Sequence, residues 1–170
     1  MSYLSQLLFV TFMGLSLSGS ASAMPVSKSS VEAHVLRLGP DEDPKLALMK
    51  YVQEHKLSSA SVVSAVGSLK VAAMRYANQK DTVKLEGFRE VVSFSGTLGA
   101  SSGSHLHVSV SDSTGVTLGG HLVEGSKVYT TLEMVLLSYP DLVFKRVLDP
   151  KTTYEELSLS PSDVNKQDKK

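Results

Sequence analysis

Apolar residues in this chain alternate with polar ones almost everywhere from Val31 onward, and they follow a clear helical period in one place only. Alternation puts successive side chains on opposite faces of a strand, so such segments bury one face and expose the other. Strands are read at Val31 to Leu38, Ala60 to Val66, Val71 to Ala77, Phe88 to Leu98, Ser104 to Val110, Val116 to Val123 and Leu142 to Val147. Gly67-Ser68 reads as a turn between the second and third of these, and Gly96 as a possible bulge in the fourth. Val128 to Tyr139 is also read as a strand on its Thr, Val and Tyr content, although Leu132, Val135 and Leu136 fit helical spacing.

The helical segment has its own start signal. Asp43 suits an N-cap, and Pro44 suits the first helical position, where a missing N–H costs nothing. Leu46, Met49 and Val52 lie three apart and Leu48 to Val52 four apart, giving a core-facing helix that runs to about His55. Many strands with few helices imply an α/β (α+β) domain, a mainly antiparallel sheet with a few flanking helices.

The chain has 170 residues, 42% hydrophobic and 20% charged, enough for one globular core. Lys+Arg and Asp+Glu both number 17, which argues against a general basic field for gripping nucleic acid. With no Cys there are no disulfides, no thiol catalysis and no thiolate metal site. No G-x-S-x-G elbow and no Walker loop occurs, so serine hydrolysis and P-loop chemistry have no support.

The apolar run Leu7 to Leu17, followed by Ala21-Ser22-Ala23, has the order of a signal peptide over residues 1–23. Cleavage would leave Met24 first and place the protein in the secretory pathway; translation starting at Met24 would instead leave it cytoplasmic. The run is short for a membrane span; a third reading is a hydrophobic helix retained as an anchor. Residues 24–30 form a lead-in, 31–157 the domain, and 158–170 a polar tail expected to be disordered.

Three of the five histidines fall within seventeen positions, at His105, His107 and His121. His105 and His107 lie two apart on a strand and share a face. Asp112-Ser113-Thr114-Gly115 suits a three-residue hairpin loop with Gly at positive φ, which pairs Asp112 with Val116. That register sets His107 opposite His121 and brings the three imidazoles together; a two-residue loop would turn His121 to the other face. Three neutral imidazoles with an open position form the ligand set of a Zn²⁺ site that binds or transforms a small molecule. Glu133, Glu90 or a water could complete the coordination, and Gly119-Gly120 would let the backbone approach a ligand or bend the strand. The plainer alternative is a strand face that happens to carry histidines. His34 and His55 have no such companions and are read as structural.

Glu86-Gly87-Phe88-Arg89-Glu90-Val91-Val92-Ser93-Phe94-Ser95-Gly96 resembles a segment of the plants-and-prokaryotes-conserved (PPC) domain. Ser104-His105-Leu106-His107, with Gly119-Gly120-His121 and Thr131 and Glu133, resembles the prokaryotic branch of that family, over roughly Val31 to Leu157. The resemblance implies a homotrimer with a metal site, and either a small-molecule ligand or a non-catalytic interaction role. In the plant branch the domain follows an AT-hook that enters DNA; the four arginines here, Arg37, Arg75, Arg89 and Arg146, form no such element, so a nucleic-acid partner is not expected.

Overall fold

The computed structural model describes residues 27–162. The signal-peptide reading and the last part of the tail lie outside the described residues. The element order is β1 (Glu32–Leu38), α1 (Pro44–Glu54), β2 (Ala60–Arg75), β3 (Val83–Gly99), β4 (Gly103–Ser111), β5 (Thr117–Leu122), β6 (Lys127–Ser138), β7 (Leu142–Leu148) and β8 (Glu155–Pro161). The first six strands form one sheet in the order β1-β6-β2-β3-β4-β5, and every pairing is antiparallel. β5 also returns to the end of β2, through Met74–Leu122 and Arg75–His121, which closes β2, β3, β4 and β5 into a ring. β7 and β8 make a separate two-stranded sheet, tied down where the Phe144 N–H donates to the Ser58 carbonyl at 3.1 Å.

The core follows from alternation. On β4, Leu106, Val108 and Val110 are buried, and on β6 so are Val128, Leu132, Met134 and Leu136. Each such burial contributes about 1.5–3 kcal/mol. α1 lays Leu48 and Val52, both fully buried, against this face. Asp43 caps the helix, its Oδ1 accepting from the Lys45 and Leu46 N–H groups at 2.9 and 3.2 Å. Its Oδ2 accepts from the Gly125 N–H at 2.6 Å, so one carboxylate fixes both the helix start and the β5–β6 loop.

Several readings of the sequence are corrected. Gly67-Ser68 is not a turn: β2 runs through it, and the irregularity is absorbed as register shifts between Gly67 and Leu69 and between Leu69 and Val71. Leu46 is not a core residue but is 51% exposed, because the buried stripe passes through Leu48 and Val52. The expected α/β architecture, a mainly antiparallel sheet with few helices, is present, with one helix among the described residues. The tail does not lose structure at Ser158, since β8 continues through Pro161 by pairing with β7 in the register Leu142–Pro161.

Candidate metal centre

The hairpin β4–β5 sets the site. Asp112 Oδ1 accepts from the Thr114 N–H at 2.9 Å, the Thr114 hydroxyl at 2.7 Å and the Val116 N–H at 3.2 Å. These bonds, with the Thr114 hydroxyl first, hold the Asp112 carboxyl below its ordinary pKa. Arg89 approaches the same carboxylate at 3.7 Å. Gly115 takes φ 84°, and the Asp112 N–H donates to the Val116 carbonyl at 3.0 Å, which is the three-residue loop expected from the sequence. The register then runs Ser111–Thr117 to His107–His121.

His107 therefore faces His121 directly, and His105 lies two residues along the same strand, opposite Thr97 of β3. His107 Nε2 stands 3.2 Å from His105 Nε2 and 3.0 Å from His121 Nδ1. One nitrogen from each ring can be chosen so that all three lie within 4.8 Å of one another. A tetrahedral Zn²⁺ bound at about 2.0–2.1 Å spaces its ligand nitrogens about 3.3 Å apart, so the donor set fits such an ion after small ring adjustments. The chemistry of the nitrogens points the same way. Neutral imidazole carries one lone-pair nitrogen, which each of the three rings can present to a shared cation. His105 and His107 are exposed and His121 half-buried, on the face opposite the Leu106–Val110 core stripe.

Burial first, then the Arg146 guanidinium, then His107, hold the His105 pKa below its ordinary value, with Glu156 opposing. Burial first, then Arg75, do the same at His121. Both effects favour the neutral ring that binds metal.

Glu90 and Glu133 do not join the cluster. Glu90 pairs with Ser111, four residues along β4 from His107, or about 13 Å away. Glu133 pairs with Arg37 on β1 and Val66 on β2, nine residues along β2 from Arg75, the partner of His121. Gly119 and Gly120 serve the sheet: a Cβ would meet Ser109 Oγ at 2.6 Å in the first and the Arg75 carbonyl oxygen at 2.7 Å in the second. The same two glycines border a small cleft with His107 and His121. His34 is satisfied by the Tyr51 hydroxyl at 3.0 Å and the Ser138 hydroxyl at 2.9 Å, and His55 Nδ1 bonds the Tyr51 carbonyl at 3.0 Å, both structural as read from the sequence.

Three charged side chains near the cluster were not singled out for it in the sequence. Arg75, Arg146 and Glu156 border the open cleft that holds His105 and His121. They come from β2, β7 and β8, and only the ring closure and the β7–β8 fold-back bring them there. No local motif carries that signal.

Fold and site together define a small antiparallel β domain that displays a cluster of three imidazoles on its outer face. Residues 26–140 match the Plants and Prokaryotes Conserved (PCC) domain, and the chain belongs to that family. It is 41% identical to a hypothetical protein of solved structure from Salmonella cholerae-suis, covering 79% of this chain and 97% of that one with a TM-score of 0.78. A metal-containing protein from Archaeoglobus fulgidus superposes with a TM-score of 0.67 at 26% identity, covering 79% of this chain and 99% of that one. The bifunctional protein GlmU of a Synechococcus strain is 38% identical over 149 residues, which are 88% of this chain and 23% of that protein. The chain thus spans about a quarter of the length of the curated relatives it matches.

Proposed function

We propose that His105, His107 and His121 hold one divalent metal ion, Zn²⁺ by preference, in a homotrimeric domain that binds or transforms a small polar ligand at the open coordination position. The observation that carries this reading is the convergence of three ring nitrogens within 4.8 Å on the outer face of the sheet. Three imidazoles without a thiolate suit Zn²⁺ and leave room for an exogenous ligand. Bound there, Zn²⁺ would polarise a carbonyl or activate a water. The relative from Archaeoglobus, described as metal-containing, supports the reading by similarity. Trimer formation is supported by outward apolar side chains that a monomer leaves in water, including Val35 at 79% and Val66 at 66% exposure. Secretion is proposed on the apolar run Leu7 to Leu17, and N-terminal sequencing of the protein made in its own cell tests it, with Met24 as the expected first residue.

Metal analysis of the purified protein tests the central point. About one ion per chain is expected, and His107→Ala should lose it while keeping the fold. No metal bound after incubation with Zn²⁺, in a folded protein, overturns the reading. A second reading, a non-catalytic interaction module, draws on the GlmU similarity, where a segment of this size belongs to a longer protein. Capture of a partner that persists in the His107→Ala variant would favour it.

A further inference from the structure

The three imidazoles are flanked by guanidinium groups on two sides. Arg75, the last residue of β2, is paired directly with His121 on β5, and His121 with His107 on β4. Directly opposed residues on antiparallel strands share a face, so Arg75, His121 and His107 form one row across the sheet with neighbouring Cβ atoms about 5 Å apart. On the other side, His105 is paired with Thr97 of β3, and Arg146 Nη2 donates to Thr97 Oγ1 at 2.7 Å. Arg146 arrives from β7, outside the main sheet, and reaches the same face.

Both arginines are half-buried and held. Arg75 spends one N–H on the Gln79 carbonyl at 3.0 Å, and Arg146 one on Thr97. A guanidinium carries five N–H donors, so most remain for a ligand. Among the described residues neither is ion-paired with a carboxylate. Two carboxylates, Glu155 and Glu156, line the same cleft as these arginines, and that of Glu156 accepts from the Thr152 hydroxyl at 2.9 Å. Lys45 and Lys80 add to the basic side of the same open cleft, although Lys45 also faces Glu124 at 3.7 Å.

We infer that Arg75 and Arg146 form a clamp for an oxyanion, a carboxylate or phosphate group of a small molecule, seated at the three-histidine face. The inference deepens the proposed function and rests on it in one respect: the oxyanion is placed as the exogenous ligand of the metal. Three neutral imidazoles supply no negative charge, so a divalent ion there keeps its full charge, and two guanidiniums add to it. The forked donor geometry of Arg matches planar carboxylate and phosphate oxygens, which a neutral ligand does not reward.

The test is calorimetric titration of the full, Zn²⁺-loaded chain with inorganic phosphate, with malonate and with the neutral diamide of malonate, beside Arg75→Gln, Arg146→Gln and Arg146→Lys. Metal content and melting temperature are measured on every variant. At least one of the two anions binds and the diamide does not; which anion binds more tightly separates a phosphate from a carboxylate ligand. Each Gln variant keeps its metal and its melting temperature and weakens anion binding about tenfold or more, the loss of one charge-assisted contact. Arg146→Lys recovers part of it, which a purely structural role of Arg146 in docking β7 does not predict. Unchanged anion affinity in both Gln variants with metal retained overturns the clamp and leaves the metal centre standing. A wild-type chain that takes up no metal but loses anion binding in the Gln variants overturns the metal centre and keeps the clamp. Equal binding of the diamide, or no anion binding at all, overturns the clamp.

Discussion

His107 stands between its two companions, 3.2 Å from the His105 ring nitrogen and 3.0 Å from that of His121. Its removal therefore takes away the central donor, and His107→Ala should lower metal affinity by at least about a hundredfold, since even partners behind the ligands cost 10–100-fold. Because the side chain is exposed, the metal-free variant should keep its stability within about 0.5 kcal/mol. His55→Ala, by contrast, should leave metal binding unchanged, as that ring sits on Tyr51 at the end of α1. The pH dependence follows from His105 and His121, whose pKa values lie below the ordinary 6.5. Metal affinity should weaken as the pH falls below that value, when protons compete for the nitrogens. In the metal-free protein the unfolded chain takes up these protons first, so stability should fall as pH drops below 6.5 and be flat above it. Melting curves of the metal-free protein across that range check the sign; a rise in melting temperature on acidification would contradict it. The histidines were legible at this scale because a strand fixes which residues share a face, and the H-x-H spacing needs no tertiary information.

The hairpin β4–β5 carries the third ligand, so its loop controls the site. Gly115 at φ 84° has open space where a Cβ would go, so Gly115→Ala should cost about 1–2 kcal/mol from backbone strain alone. Urea unfolding measures that cost, and metal titration shows whether His121 keeps its register. Asp43→Ala should cost about 1–2 kcal/mol, since the carboxylate caps α1 and also holds the Gly125 N–H. The hairpin was legible because Asp112 and Gly115 specify one loop length, and loop length specifies register. The continuity of β2 was not. Gly67-Ser68 carries the composition of a turn, but pairing with β3 on one side and β6 on the other carries the strand through it. Strand β8 was missed for a similar reason. Ser158 to Pro161 is polar and weakly patterned, and it is ordered by pairing with β7.

At the scale of the whole molecule, the ring closure of β5 onto β2 and the return of β7 and β8 assemble what local patterns could not. The carboxylates chosen from sequence, Glu90 and Glu133, sit elsewhere on the sheet, while Arg75, Arg146 and Glu156 reach the cleft from three separate strands. Long-range pairing alone decides that, and single-sequence periodicity holds no record of it. The outward apolar side chains Val35, Val66 and Phe88 belong to the same scale. Sedimentation equilibrium should give three times the 18.2 kDa chain mass, less any leader removed, and a monomer at micromolar concentration would contradict the trimer. The most direct test of the metal centre is an anomalous-difference map from crystals of the Zn²⁺-loaded protein at the zinc edge. The expected result is one peak per chain, about 2.0–2.1 Å from a ring nitrogen of each of His105, His107 and His121. A map with no peak between these rings, or with zinc bound at other residues, contradicts it.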